Sequence, residues 1–74
     1  MVKPTRVTNR IRAVREGAGL TQAELARRIG VTRQTLIAIE QSKYSPTLEL
    51  AFQLSRVFGL GIDELFQYPE ADSE

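Results

Sequence analysis

The chain has neither cysteine nor histidine among its 74 residues. Without cysteine there is no disulfide, no thiolate zinc site and no iron–sulfur cluster, so a chain this short must rest on packing alone. Without histidine, no imidazole can act as a base, a metal ligand or a switch near neutral pH. Long apolar runs are also missing. The longest is Leu36-Ile37-Ala38-Ile39, far short of a membrane span. No apolar stretch follows Met1 to Pro4, so no signal peptide is expected and the cytoplasm is the expected compartment. There is no glycine-rich phosphate loop, and no paired acids face a plausible cleft. An enzyme is therefore not expected, and neither is a metal, a cofactor or a small-molecule substrate.

What remains is enough for one small domain. The hydrophobic share of 42% can build one core but not two, and the charged share of 26% is that of a folded soluble chain. The net charge is only +1, yet it is unevenly spread. Residues 1–43 carry nine cations and three acids, a net +6, while residues 44–74 carry one cation and six acids, a net −5. Such a division suits a polyanion on one side, and it suits two segregated solvated faces equally well.

Hydrophobic spacing and capping residues predict five short helices and no sheet, an all-α fold. Val7, Ile11, Val14 and Ala18 recur at helical spacing, and Gly17 and Gly19 stop that helix. Thr21-Gln22-Ala23-Glu24 reads as a capping box. It opens a helix striped by Leu25, Ala26 and Ile29 and ended by Gly30. Thr32 caps the next helix, whose inward pair is Leu36 and Ile39. Residues 41–46 form a loop. Thr47 caps a fourth helix with a broad apolar face (Leu48, Leu50, Ala51, Leu54, Val57, Phe58), expected to be the most buried. Gly59 ends it. Ile62, Leu65 and Phe66 mark a last short helix. Residues 1–6 read as an arm, 7–66 as the domain and 67–74 as a loose acidic tail.

The segment 21–40 holds two capped helices joined by Gly30-Val31 alone. So short a link forbids an antiparallel pair and predicts a steep crossing, with the second helix standing out from the body. That is a helix-turn-helix shape, and such a second helix can enter a DNA major groove. At about 100° per residue, Thr32, Thr35, Leu36, Ile39 and Glu40 share one side. Arg33, Gln34, Ile37, Ala38 and Gln41 share the other, which holds no acid. Arg33 can donate twice to guanine, Gln34 can pair with the adenine edge, and Ile37 and Ala38 can meet a thymine methyl. The same face could be an ordinary solvated one, and Ile37 could equally meet a protein. Gln22 opens the preceding helix, where its backbone N–H and its amide could meet a phosphate. Lys43 and Arg12 are candidate phosphate clamps or plain surface charges.

Taken together, Thr21-Gln22-x-x-Leu25-Ala26-x-x-x-Gly30-Val31-Thr32-x-x-Thr35-Leu36-x-x-Ile39-Glu40 closely resembles the Cro and phage-repressor type helix-turn-helix of XRE-like bacterial regulators. The likeness extends over residues 7–66, through Asn9-Arg10-Ile11-Arg12, Gly19-Leu20, Pro46-Thr47-Leu48-Glu49-Leu50 and Gly59 to Phe66. It implies a compact five-helix domain that binds double-stranded operator DNA as a two-fold dimer and regulates transcription, here as a repressor. It places DNA contacts at Gln22, Thr32, Arg33, Gln34, Ile37, Ala38 and Lys43. It also implies a buried ion pair between Arg15 and Glu40, and Glu40 does lie on the inward side of its helix. An antitoxin or adaptor that grips another protein is the alternative on the same scaffold.

Two positions depart from that pattern. Ser42 stands where the family has glycine after the recognition helix, and Gly61 replaces the Ser or Thr cap of the last helix. One such module makes few base contacts, so two are expected, reading half-sites about 34 Å apart. The expected dimer surface is the last helix and its flank: Leu65, Phe66 and Tyr68. A monomer in which Leu65 and Phe66 are core is the other reading of those residues.

Overall fold

A computed structural model describes residues 6–43 and 45–69. The expected five helices are present: α1 (Ile11–Gly17), α2 (Gln22–Arg28), α3 (Arg33–Glu40), α4 (Leu48–Phe58) and α5 (Ile62–Leu65). Each contributes to one core, built on Ile11, Leu25, Ala26, Ile29, Leu36, Ile39, Leu54 and Leu65. Met1 to Thr5 of the arm and residues 70–74 of the tail lie outside the described residues.

Helix starts follow the threonines. Thr21, Thr32 and Thr47 are each extended, and each hydroxyl accepts the backbone N–H three residues on. At α2 the box is complete, since Glu24 Oε1 accepts the Thr21 N–H at 2.8 Å. That bond, then the Thr21 hydroxyl, hold the Glu24 carboxyl below its ordinary value near 4.5, and Arg27 and Arg28 add to it. Gly61 has no hydroxyl to offer, so α5 keeps only the reciprocal half, Gly61 N–H to Glu64 Oε1 at 2.7 Å, and runs for four residues.

The first four helices end by one rule, whereas α5 runs straight into extended Phe66. After α1, α2 and α4 the chain turns through a left-handed glycine: Gly19, Gly30 and Gly59. The next N–H then reaches back five residues, as in Leu20 to Arg15, Val31 to Ala26 and Leu60 to Ser55. The end of α3 has the same bonds, Ser42 N–H to Ile39 and Lys43 N–H to Ala38, but the left-handed residue is Ser42, at φ 58°. A side chain in that region costs on the order of 1 kcal/mol. Ser42→Gly should relieve this against a few tenths lost to unfolded-state freedom, raising the melting temperature by a few degrees. An unchanged or lower midpoint in thermal denaturation would contradict it.

Three expectations need correction. The first concerns the absence of a sheet: Thr8–Asn9 (β1) and Phe66–Gln67 (β2) form a two-stranded antiparallel pair, Thr8 opposite Gln67 and Asn9 opposite Phe66. Hence α1 begins at Ile11 and not near Val7, and Gln67 belongs to the fold and not to the tail. The cause lies in long-range bonds. The Arg10 N–H donates to the Leu65 carbonyl at 2.9 Å. Asn9 accepts the Ile11 N–H through Oδ1 and donates through Nδ2 to the Ile39 carbonyl at 2.8 Å. The chain is thereby held extended and tied to the end of α3. Second, Leu48 is not on the buried face of α4 but 70% exposed, because it lies about 120° around the helix from Leu54. Third, α4 is not the most buried helix: only Ala51 and Leu54 of its eleven residues are buried.

Candidate nucleic-acid interface

The back of α3 is locked and its front is open. Leu36 and Ile39 are wholly buried, anchoring the helix on the core. Arg33 and Gln34, in its first turn, are exposed, as is Gln41 just past its end. Ile37 and Ala38 are half-buried, so they present edges and not whole side chains. The helical-wheel division thus holds at Leu36, Ile39, Arg33 and Gln34, and is softer at Ile37 and Ala38.

Beside α3 runs an open cleft of about 600 Å³, walled by Arg12 of α1, Thr21 and Gln22 at the start of α2, and Arg33, Ile37 and Gln41. Arg15 and Glu40 lie at its inner end. Their side chains are 9% and 3% exposed, and the Arg15 Nε donates to Glu40 Oε2 at 2.7 Å. The Arg15 Nη1 donates to the Leu20 carbonyl at 2.9 Å, so the guanidinium also fixes the exit of α1. This is the ion pair that the family resemblance implies, with both charges removed from water and both hydrogen-bonded.

Gln22 extends the pair outward. Its Nε2 donates to Glu40 Oε1 at 3.2 Å, and its Oε1 accepts from Arg33 Nη2 at 3.3 Å. This corrects the expectation for its amide, which is engaged within the protein instead of aimed at an empty phosphate position. Its backbone still opens α2, where the first N–H groups have no carbonyl of their own helix to meet. A relay therefore runs from buried Arg15 through Glu40 and Gln22 to exposed Arg33. Sequence spacing could suggest that Gln22 and Arg33 lie near each other across a tight corner. It carried no sign of the bond to Glu40.

The other expected contacts are placed less tightly. Thr32 caps α3, and its hydroxyl donates to Thr35 Oγ1 at 2.9 Å. Lys43 is exposed just beyond the Ser42 turn. Arg12 is exposed and pairs with Glu16 at 3.3 Å, a surface pair of small energetic weight. Of the expected dimer residues, Leu65 is wholly buried in the core and unavailable to a partner. Phe66 is half-buried within β2. Tyr68 is 65% exposed, with the Arg6 guanidinium 5.7 Å from its ring centroid.

Among the described residues no group of acids could hold a metal ion, and no helix is long and apolar enough to cross a membrane. Comparisons with known proteins identify the family to which this arrangement belongs. The sequence matches the helix-turn-helix family model over residues 11–65. It is 45% identical over 62 residues to an uncharacterised HTH-type transcriptional regulator of Methanocaldococcus jannaschii, spanning 84% of this chain and 94% of that one. It is 35% identical over 65 residues to the cryptic phage CTXphi transcriptional repressor RstR of Vibrio cholerae, covering 88% of this chain and 59% of RstR. A solved structure from Bacteroides fragilis shares the fold, with a TM-score of 0.74 at 21% identity over 82% of this chain and 98% of that one. The arrangement of α2 and α3 and the breadth of these matches lead to one conclusion: the chain belongs to the Cro/C1-type (XRE) helix-turn-helix family of transcriptional regulators.

Proposed function

We propose that the protein is a sequence-specific repressor that binds double-stranded DNA as a homodimer, laying α3 in the major groove. The observation that carries this reading is the pairing of a locked back with an open, acid-free first turn on α3. Arg33 and Gln34 stand exposed there while Leu36 and Ile39 hold the helix rigid. Arg33 and Gln34 read base edges, with Ile37 and Ala38 against thymine methyl groups. The backbone at Gln22, together with Thr32, Lys43 and Arg12, meets phosphates and sets the register without reading sequence. A DNA partner is compatible with the cytoplasm as its compartment. RstR is named as a transcriptional repressor, which supports the same sense of action here.

Selection of bound sequences from a random duplex pool tests the reading. The expected product is a palindrome with half-sites about 34 Å apart on one face of the duplex. Binding to it should weaken steeply with salt, by about 0.9 in the log–log slope for each phosphate neutralised. A pool that shows no enrichment, or an affinity that ignores salt, would overturn it.

A further inference from the structure

Three exposed large hydrophobic side chains stand out among the described residues, and two share one helix: Leu48 at 70% and Phe52 at 53%, on α4. They are four residues apart and so form one row, which continues one turn later in Arg56. Glu49 lies beside the row, and at about 100° per residue the four residues fall within an arc of roughly 100°, away from buried Leu54. Glu49 at the first turn and Arg56 at the last would suit the helix dipole alone. That explanation leaves Leu48 and Phe52 bare.

We propose that this face of α4 is the self-association surface, occupied by α4 of a second copy lying antiparallel across a two-fold axis near Phe52. The proposal rests on the dimeric reading above and names the surface that makes it. The charge order decides the occupant and its direction. Glu49 lies about one turn before Phe52 and Arg56 one turn after it, so the two charges flank Phe52 in an order that is complementary to its own reverse. An antiparallel pair centred on Phe52 sets Glu49 level, within a residue, with Arg56 of the partner subunit, and does so twice. A parallel pair would stack like on like. Two-fold contacts are isologous, and this row has that self-complementarity. The last helix offers less, since Leu65 is buried and the Tyr68 ring already has Arg6 over it. Eleven residues of helix span about 16 Å. That strip is smaller than the roughly 800 Å² per partner of a standard interface, so free dimers are weak and paired half-sites on DNA complete the association.

Sedimentation equilibrium of the full chain, from micromolar to millimolar concentration, tests this without DNA. The wild type should rise toward twice the monomer mass, and Phe52→Glu should stay monomeric. Glu49→Arg and Arg56→Glu should each weaken association about two- to five-fold, and the double reversal should restore it. These side chains are exposed, so circular dichroism should show each variant folded. A wild type monomeric throughout, a Phe52→Glu variant that still dimerises, or a double reversal that recovers nothing would overturn the proposal. Binding to a single half-site duplex separates the two readings. It should be unchanged in Phe52→Glu, whereas its absence in the wild type would count against DNA reading and leave the α4 result standing.

Discussion

Glu40→Ala is expected to destabilise the fold by about 3–5 kcal/mol, whereas Glu49→Ala should stay within about 0.5 kcal/mol of the parent. The two carboxylates have the same chemistry and opposite surroundings. The Glu40 side chain is 3% exposed and accepts from Arg15 Nε, Arg15 Nη2 and Gln22 Nε2. Its removal leaves the Arg15 guanidinium, 9% exposed, with the Leu20 carbonyl and a 4.0 Å approach to Glu16 as its remaining contacts. A buried charge without its counterion must open the structure to water or stay unsatisfied, and both are costly. Glu49 is exposed in the first turn of α4 and gives up only a weak dipole interaction. A domain of this length has about 4–11 kcal/mol of total stability, so Glu40→Ala would remove a large part of it. Urea denaturation of the two variants reads the contrast, and equal midpoints would refute it. Replacing Arg15 and Glu40 together by Met and Leu removes both charges and should recover most of the loss. That recovery separates an orphaned charge from a simple cavity.

The same buried pair shows which parts of the molecule the sequence discloses. Helix boundaries were legible wherever a side chain or a glycine acts on its own neighbours. Thr21, Thr32 and Thr47 bond three residues away, and Gly19, Gly30 and Gly59 each take a conformation that other residues resist. The serine departure at position 42 was legible for the same reason, and the structure does hold it left-handed. What escaped notice depends on partners far away in the chain. Asn9 and Arg10 reach Ile39 and Leu65, and these bonds turn an apparent helical start into strand β1. Leu65 and Phe66 are adjacent and equally apolar, yet one is core and the other half-covered. Leu48 matches the apolar pattern of its helix and still faces out. Apolar residues near a helix end carry no local mark of which neighbour will cover them. At the candidate interface, the exposure of Arg33 and Gln34 followed from helical periodicity. The bond that holds Gln22 to Glu40 did not, because it joins two helices.

Arg33→Ala should weaken binding to the selected palindrome by about 1–3 kcal/mol per half-site and relax the preference at a single base position. Lys43→Ala should instead weaken binding to all sequences alike and lower the salt slope by about one unit per site. The difference follows from what each side chain is asked to do. In the proposed complex Arg33 donates a planar pair of hydrogen bonds to a guanine edge, and a wrong base leaves those donors unpaired. Its planarity is useful only if the guanidinium is held in place, and Gln22 Oε1 holds one Nη from behind at 3.3 Å. Gln22 is held in turn by buried Glu40 at 3.2 Å. Loss of the Gln22 amide should therefore act partly through Arg33. In a double-mutant cycle, Gln22→Ala and Arg33→Ala together should cost less than the sum of the single changes. Strict additivity would mean that Arg33 positions itself, and an unaltered base preference in Arg33→Ala would remove it from sequence reading altogether. Glu40 links both large effects. One carboxylate pairs with Arg15 inside the core and, through a single amide, steadies the side chain proposed to meet the base.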